Sequence, residues 1–421
     1  LIIKMLTIHF SKISLIKDTY EKLASLLLVL IVPLLATGPF LPDLFLSVFV
    51  LIYFFILFKK KVFYLEVNKF FNFYLLYCLY LIILSLLSVN ILLSLEQSLF
   101  YFRFGFFLIF AIYIFKKYEF VENIFFNLIF LTSLIVSLDA IFQFIYGFNI
   151  LGFYKIDDFG YFGRISGVFG DESILGSYLS KILPIMFYAV NTQKNHNKNF
   201  KYFILILAFI TIVISGERTA TFFALLFIFG FIIFNTHYKI HKKILFLITT
   251  ILLLILTISF NDNLKKRFVD ITLSQFFDKN KKLLILTEVH TDQFETGYNI
   301  FKDNPFFGVG TKLYRHYGCK NPKYISEYSC TTHPHNTYIQ ILSETGVIGT
   351  IPIVLLFIFS IYKLFFSKGY KNRNQKICAC LSMICFLWPL MPTGNFFNNW
   401  LSILLFSNLI FFYKVIIKKD D

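Results

Sequence analysis

The 421-residue chain has no separate basic domain, no Cys/His pairs at zinc-binding spacing and no glycine-rich dinucleotide fingerprint. These absences remove the common nucleic-acid modules, structural zinc modules and a dinucleotide site. Charge is scarce as well: Asp, Glu, Lys and Arg make up 15% of the residues, against 57% hydrophobic. A single soluble core is excluded by those proportions and by apolar runs near membrane-spanning length, repeated along the chain. Residues 1–21 carry charges and lack a cleavable signal pattern, so the first apolar run is expected to act as an uncleaved signal anchor. No internal repeat or low-complexity linker interrupts the pattern.

What is present is about twelve apolar runs, at 23–38, 44–58, 71–88, 94–115, 124–146, 173–190, 202–215, 220–235, 244–260, 347–366, 377–391 and 399–415. The expected fold class is therefore all-α, a polytopic integral membrane protein with about 12 transmembrane helices. The net charge of +16 fits that class better than a nucleic-acid partner, because Lys and Arg gather in alternate connections. One set holds Lys59, Lys60 and Lys61, then Lys116 and Lys117, then Lys194, Lys198 and Lys201. It continues with Lys239, Lys242 and Lys243, then Lys368, Lys371, Arg373 and Lys376, and ends at Lys418 and Lys419. The short connections between, such as 37–43 and 392–399, carry almost none. Positive charge marks cytoplasmic loops, which places both termini in the cytoplasm. The expected division is a cytoplasmic N-terminus (1–22), nine spans with short loops (23–260), a large outer loop with short helices (261–346), three spans (347–415) and a cytoplasmic tail (416–421).

The excess of Phe, Ile, Asn, Lys and Tyr matches AT-rich coding, so aromatic clusters are not read as sites. Of six cysteines, Cys78, Cys378, Cys380 and Cys385 lie in apolar runs as small core residues. Cys319 and Cys330 share the long polar segment, where an outer location permits a disulfide.

Three outer connections carry polar residues suited to chemistry. Arg218, in Ser-Gly-Glu-Arg-Thr-Ala at 215–220, sits between two apolar runs at the outer boundary. Its planar fork suits a phosphate or carboxylate; the plainer roles are snorkelling to headgroups or pairing with Glu217. Arg164 belongs to a glycine-punctuated loop entering a helix, with Asp171 or Ser173 as the expected cap. Such a loop is either an anion-binding approach or an ordinary re-entry turn. His335 follows Pro334 ahead of an expected helix and can act as a general base, with His333 as competitor. A metal site is not expected, since no third ligand accompanies the two histidines. Within the spans, Glu96 and Arg103 are expected to share one helical face, and Asp139 and Lys181 are also intramembrane. Those groups either pair structurally or form a proton path.

His335, Asn336, nine further residues, Gly346 and Gly349 together resemble the motif of the O-antigen ligase and polymerase superfamily of bacterial envelopes. Asn-Pro-Phe-Phe-Gly-Val-Gly at 304–310 is similar to that superfamily's Asn-Pro-Leu-Leu-Gly-Val-Gly segment, and the Arg218 and Arg164 loops are similar to its arginine loops. The chain departs at His290, where many members carry an arginine: either His290 is protonated beside the anion, or Arg315 or Lys312 stands in for it, or the sugar donor is handled differently.

The resemblance implies an inverting glycosyltransferase needing no metal or cofactor, embedded in the bilayer of the bacterial inner membrane with its active site on the periplasmic face. The implied donor is a glycan on undecaprenyl pyrophosphate. The implied acceptor is lipid A-core for a ligase or a growing glycan for a polymerase, and a protein acceptor is the third variant. On this reading His335 is the catalytic base, Arg218 and Arg164 hold the pyrophosphate, and Asn336, His333 and His290 contribute to substrate binding. A transporter of about twelve spans is the reading of a different class. It fits less well, because the informative residues gather on one outer surface rather than at the bilayer midplane.

Overall fold

The computed structural model describes residues 10–60, 69–155, 163–192, 198–275, 287–366 and 372–417. Among these the named elements are all helical, and one isolated bridge pairs Phe148 with Tyr154. The first ten helices are α1 (Thr19–Leu34), α2 (Phe40–Lys60), α3 (Lys69–Leu86), α4 (Ile91–Ser98), α5 (Phe102–Lys117), α6 (Glu119–Tyr146), α7 (Leu175–Thr192), α8 (Lys198–Ile214), α9 (Arg218–Phe234) and α10 (Ile240–Ser259). The polar segment then supplies α11 (Asp262–Lys265), α12 (Ile271–Gln275), α13 (Glu288–Asp303) and α14 (Tyr314–Lys320). The chain closes with α15 (Thr337–Phe366), α16 (Arg373–Phe386) and α17 (Asn399–Phe412).

Among the described residues, eight helical stretches are long and apolar enough to cross a membrane: α1, α2, α3, α4 with α5, α6, α10, α15 and α17 with the residues that follow it. The other four expected spans coincide with α7, α8, α9 and α16, which are shorter or more polar; α9 is a shorter apolar helix. Helix α17 is the axis of the bundle. Its residues from Trp400 onward are almost all buried, and it packs against α5, α7 and α16. An apolar helix surrounded by other helices buries every face. Helix α10 is as apolar and buries nothing.

One expectation changes. The run at 94–115 is not one helix, because the chain turns at residues 99–101 between α4 and α5. There the Tyr101 carbonyl accepts from the Tyr74 hydroxyl at 2.7 Å. Glu96 and Arg103 therefore do not share a face. Glu96 pairs with Lys312 at 2.7 Å and Arg103 with Asp43 at 2.6 Å, so both are structural pairs rather than a proton path. Asp139 is also structural, accepting from the Ile150 amide at 3.0 Å.

The expected boundary at 346/347 falls at a break within α15. The helix starts ten residues earlier, at Thr337, and is broken at Gly346 (φ 62°, ψ −170°). The 304–310 segment lies along that break. Val309 and Gly310 donate to the carbonyls of Ser343 and Glu344 at 3.0 and 2.9 Å, and Val347 donates to Pro305 at 2.9 Å. The backbones touch so closely that a Cβ at Gly308 would sit 2.5 Å from the Glu344 carbonyl carbon, and one at Gly346 would strike the Phe306 carbonyl. Both glycines also have left-handed φ, which a side chain disfavours. The two motifs separated in sequence are thus one backbone joint: the loop satisfies the polar groups that the broken helix leaves open.

Candidate active site

Three loops meet above the bundle. The first, around Arg164, hangs from α6: the Gln143 carboxamide oxygen accepts from the Ser166 and Gly167 amides at 3.0 and 2.8 Å. Asn149 anchors the Gly167 carbonyl at 2.7 Å. Arg164 donates to the Ser173 carbonyl at 3.1 Å and lies 3.9 Å from the Glu217 carboxylate. Neither Asp171 nor Ser173 caps the following helix. Glu217 does so from a different loop, accepting from the amides of Gly176 (2.6 Å) and Ser177 (3.0 Å) and from the Ser177 hydroxyl (2.8 Å). A carboxylate suits the positive end of α7, and no local pattern could announce a cap supplied from another loop.

The second loop is 215–218. Gly216 has φ +72° and faces the side chain of Arg267, whose Nε donates to its carbonyl at 2.5 Å. Arg218 begins α9 and donates from Nη1 to the Thr272 hydroxyl at 2.9 Å. The like charge of Arg164 acts on it, and its own field reaches His290. Three guanidiniums, of Arg164, Arg218 and Arg267, thus gather around Gly216–Glu217. Arg267 was not singled out in the sequence. The available signal was a basic residue on the side where positive charge is disfavoured.

The third loop carries the histidines. His290 lies in the first turn of α13, its amide bonded to the Thr287 cap at 3.3 Å. Its ring centroid is 5.7 Å from that of His335, and His333 is 4.2 Å from His335 on the other side. His335 holds a left-handed φ of 51°, uncommon for a residue with a side chain. Thr393 fixes that conformation by donating its amide to the His335 carbonyl at 2.8 Å. Asn336 secures the other side as the cap of α15. Its side-chain oxygen accepts from Tyr338 and Ile339 at 2.9 and 3.1 Å, and its nitrogen donates to Pro389 at 2.8 Å.

His333 is held at both ring nitrogens. One ring nitrogen meets the Thr332 hydroxyl at 2.8 Å and the other the Thr393 carbonyl at 3.3 Å. Burial pushes its pKa down to about 3, with His335 adding to the shift. Burial also pushes His335 down to about 4, helped by the neighbouring His290. His290 is lowered by burial first and by Arg218 as well, against an opposing hydrogen bond from Gln293. All three imidazoles are therefore neutral near pH 7.

The fold thus brings Arg164, Arg218, His290, His333 and His335 together, while Asn336 turns into the backbone beneath them. Of the two stand-ins for the expected arginine, Lys312 is committed to Glu96, whereas Arg315 stays close enough for its charge to reach His333. The arrangement offers cations to an anion on one side and a neutral proton acceptor on the other. No curated protein matches the chain. Residues 203–354, the segment containing Arg218, Arg267, His290 and His335, match the family model described as O-antigen ligase. By that match this segment of the chain is similar to the O-antigen ligase and polymerase superfamily.

Proposed function

We propose that the protein is an inverting, metal-independent glycosyltransferase of the bacterial inner membrane that moves a glycan from undecaprenyl pyrophosphate to lipid A-core. The observation that carries this reading is the grouping of Arg164 and Arg218 with the histidine cluster: Arg218 acts on Arg164 and His290, and the His290 ring lies 5.7 Å from that of His335. Two like charges held near one another in a half-buried site favour an anion between them. Arg164, Arg218 and Arg267 hold the donor diphosphate. The acceptor hydroxyl oxygen attacks the anomeric carbon from the face opposite the diphosphate. The bond from that carbon to the phosphate oxygen breaks, and its electron pair leaves with the pyrophosphate, whose growing charge the guanidiniums stabilise. His335 takes the hydroxyl proton. Its low proton affinity belongs to the free site, and a bound diphosphate raises it by placing negative charge nearby.

The Cys319–Cys330 disulfide supports an extracytoplasmic position for 261–346, because such bonds persist in oxidising compartments. With α7, α8, α9 and α16 also crossing the bilayer, the count becomes twelve spans with both termini in the cytoplasm. A reporter fused near Ser326 tests this, and a cytoplasmic signal there overturns it. The function is tested by deleting the gene and running a lipopolysaccharide gel. Core lacking O-antigen, with accumulated lipid-linked polymer, supports ligation. Core bearing a single unit shows instead that a polymerase was lost, and intact lipopolysaccharide points to a protein acceptor.

A further inference from the structure

A cavity of about 470 Å³ lies between α7 and the start of α17, and the site described above does not use it. Ser177 and Lys181 of α7, Glu172 ahead of it, Asn395, Asn398 and Trp400 line its walls. The cavity shares both walls with the active site. Ser177 donates its hydroxyl to Glu217, which faces Arg164. Asn395 accepts from Gln340 at 2.8 Å and lies two residues beyond Thr393, which fixes His335.

Lys181 is the unusual wall residue. Its ammonium rests against the rings of Phe386 (4.5 Å) and Phe223 (5.4 Å) and makes no hydrogen bond or ion pair among the described residues. The carboxylate whose field reaches it is that of Glu217, which already accepts from the amides of α7. Ring faces offset part of the cost of desolvating an ammonium, and an arriving anion offsets more. Glu172, the other charged wall residue, is exposed at the rim. Trp400 is locked by its Nε1 bond to the Leu35 carbonyl at 3.0 Å and offers a fixed aromatic wall.

We propose that this cavity is a saccharide subsite that selects an acidic sugar, with Lys181 receiving its carboxylate. The serine and asparagine side chains meet hydroxyls, and the Trp400 ring covers an apolar sugar face. The volume lies within the range of about 300–1,000 Å³ for small-molecule sites. This deepens the glycosyltransferase reading by naming the class of glycan, and it rests on that reading.

The test uses the full chain in nanodiscs, with Trp388→Phe so that fluorescence reports Trp400. The probes are cellobiouronic acid and its neutral counterpart cellobiose. The acidic disaccharide is expected to bind about tenfold or more tightly, and Lys181→Met to erase that preference while Lys181→Arg retains it. Equal binding of the two sugars, or a preference that survives Lys181→Met, overturns the proposal. Arg218→Ala separates the two readings: it removes transfer but leaves the sugar preference intact. A preference lost with Arg218→Ala places the acid at the diphosphate clamp and overturns the separate subsite.

Discussion

Arg103 and Arg218 both stand in the first turn of an apolar helix, yet their surroundings differ. Arg103 is closed: its guanidinium meets Asp43 at 2.6 Å and packs on the ring of Phe104 at 5.2 Å. Arg218 is held by a neutral hydroxyl of Thr272, and the groups within reach of its charge are the like charge of Arg164 and the imidazole of His290. A paired arginine joins two helices. One placed beside a second arginine and a neutral imidazole is costly until an anion arrives, and a site built for a transient anion has that property.

The contrast can be broken by substitution. The largest effect is expected for His335→Ala, a loss of glycan transfer on the order of 10²–10⁴-fold with expression and insertion unchanged. Full turnover in an in vitro transfer assay would remove the base from the mechanism. Arg218→Lys comes next, with transfer reduced about 10- to 100-fold because the planar fork is lost. Arg103→Lys should leave turnover per folded molecule unchanged and lower the melting temperature instead, by about 1 kcal/mol of stability. If both lysine variants lose the same activity, the distinction between a closed and an open arginine fails.

Cys319→Ser should cost roughly 2–3 kcal/mol through loss of the short cross-link, read by thermal unfolding, with transfer retained at low temperature. Loss of transfer without loss of stability would give the disulfide a role beyond holding the loop. The smallest expected effect is an absence of slope. Protonated His335 cannot accept a proton, so kcat/KM falls only as pH drops toward about 4. Between pH 8 and 6 the limb belonging to this residue should be flat, and a decline centred near the ordinary value of about 6.5 would contradict the burial of His335.

Much of the candidate site was legible because it depends on local spacing. His335, Gly346 and Gly349 keep a fixed distance in sequence, and 304–310 is punctuated by glycines whose conformation explains them once the two backbones are seen in contact. The roles of His333 and Asn336 were not separable from that of His335 by sequence alone. His333 is held across the fold by the Thr393 carbonyl, and Asn336 is a helix cap only because α15 starts at Thr337. Arg267 was hidden for the same reason, since its partner, the Gly216 carbonyl, lies 51 residues away.

The sequence by itself determined the all-helical membrane class, because uninterrupted apolar runs must satisfy their own backbone hydrogen bonds inside lipid. It also marked His335, Arg164 and Arg218 as candidate site residues. Only the tertiary structure decided that α17 is enclosed while α10 lies outside, since an apolar side chain suits a lipid neighbour and a protein neighbour alike. It alone decided that Glu217 caps α7, that Arg103 closes on Asp43, and that the charge of Arg218 reaches Arg164 and His290. Those outcomes depend on distances between separate segments, which no single stretch of the chain encodes.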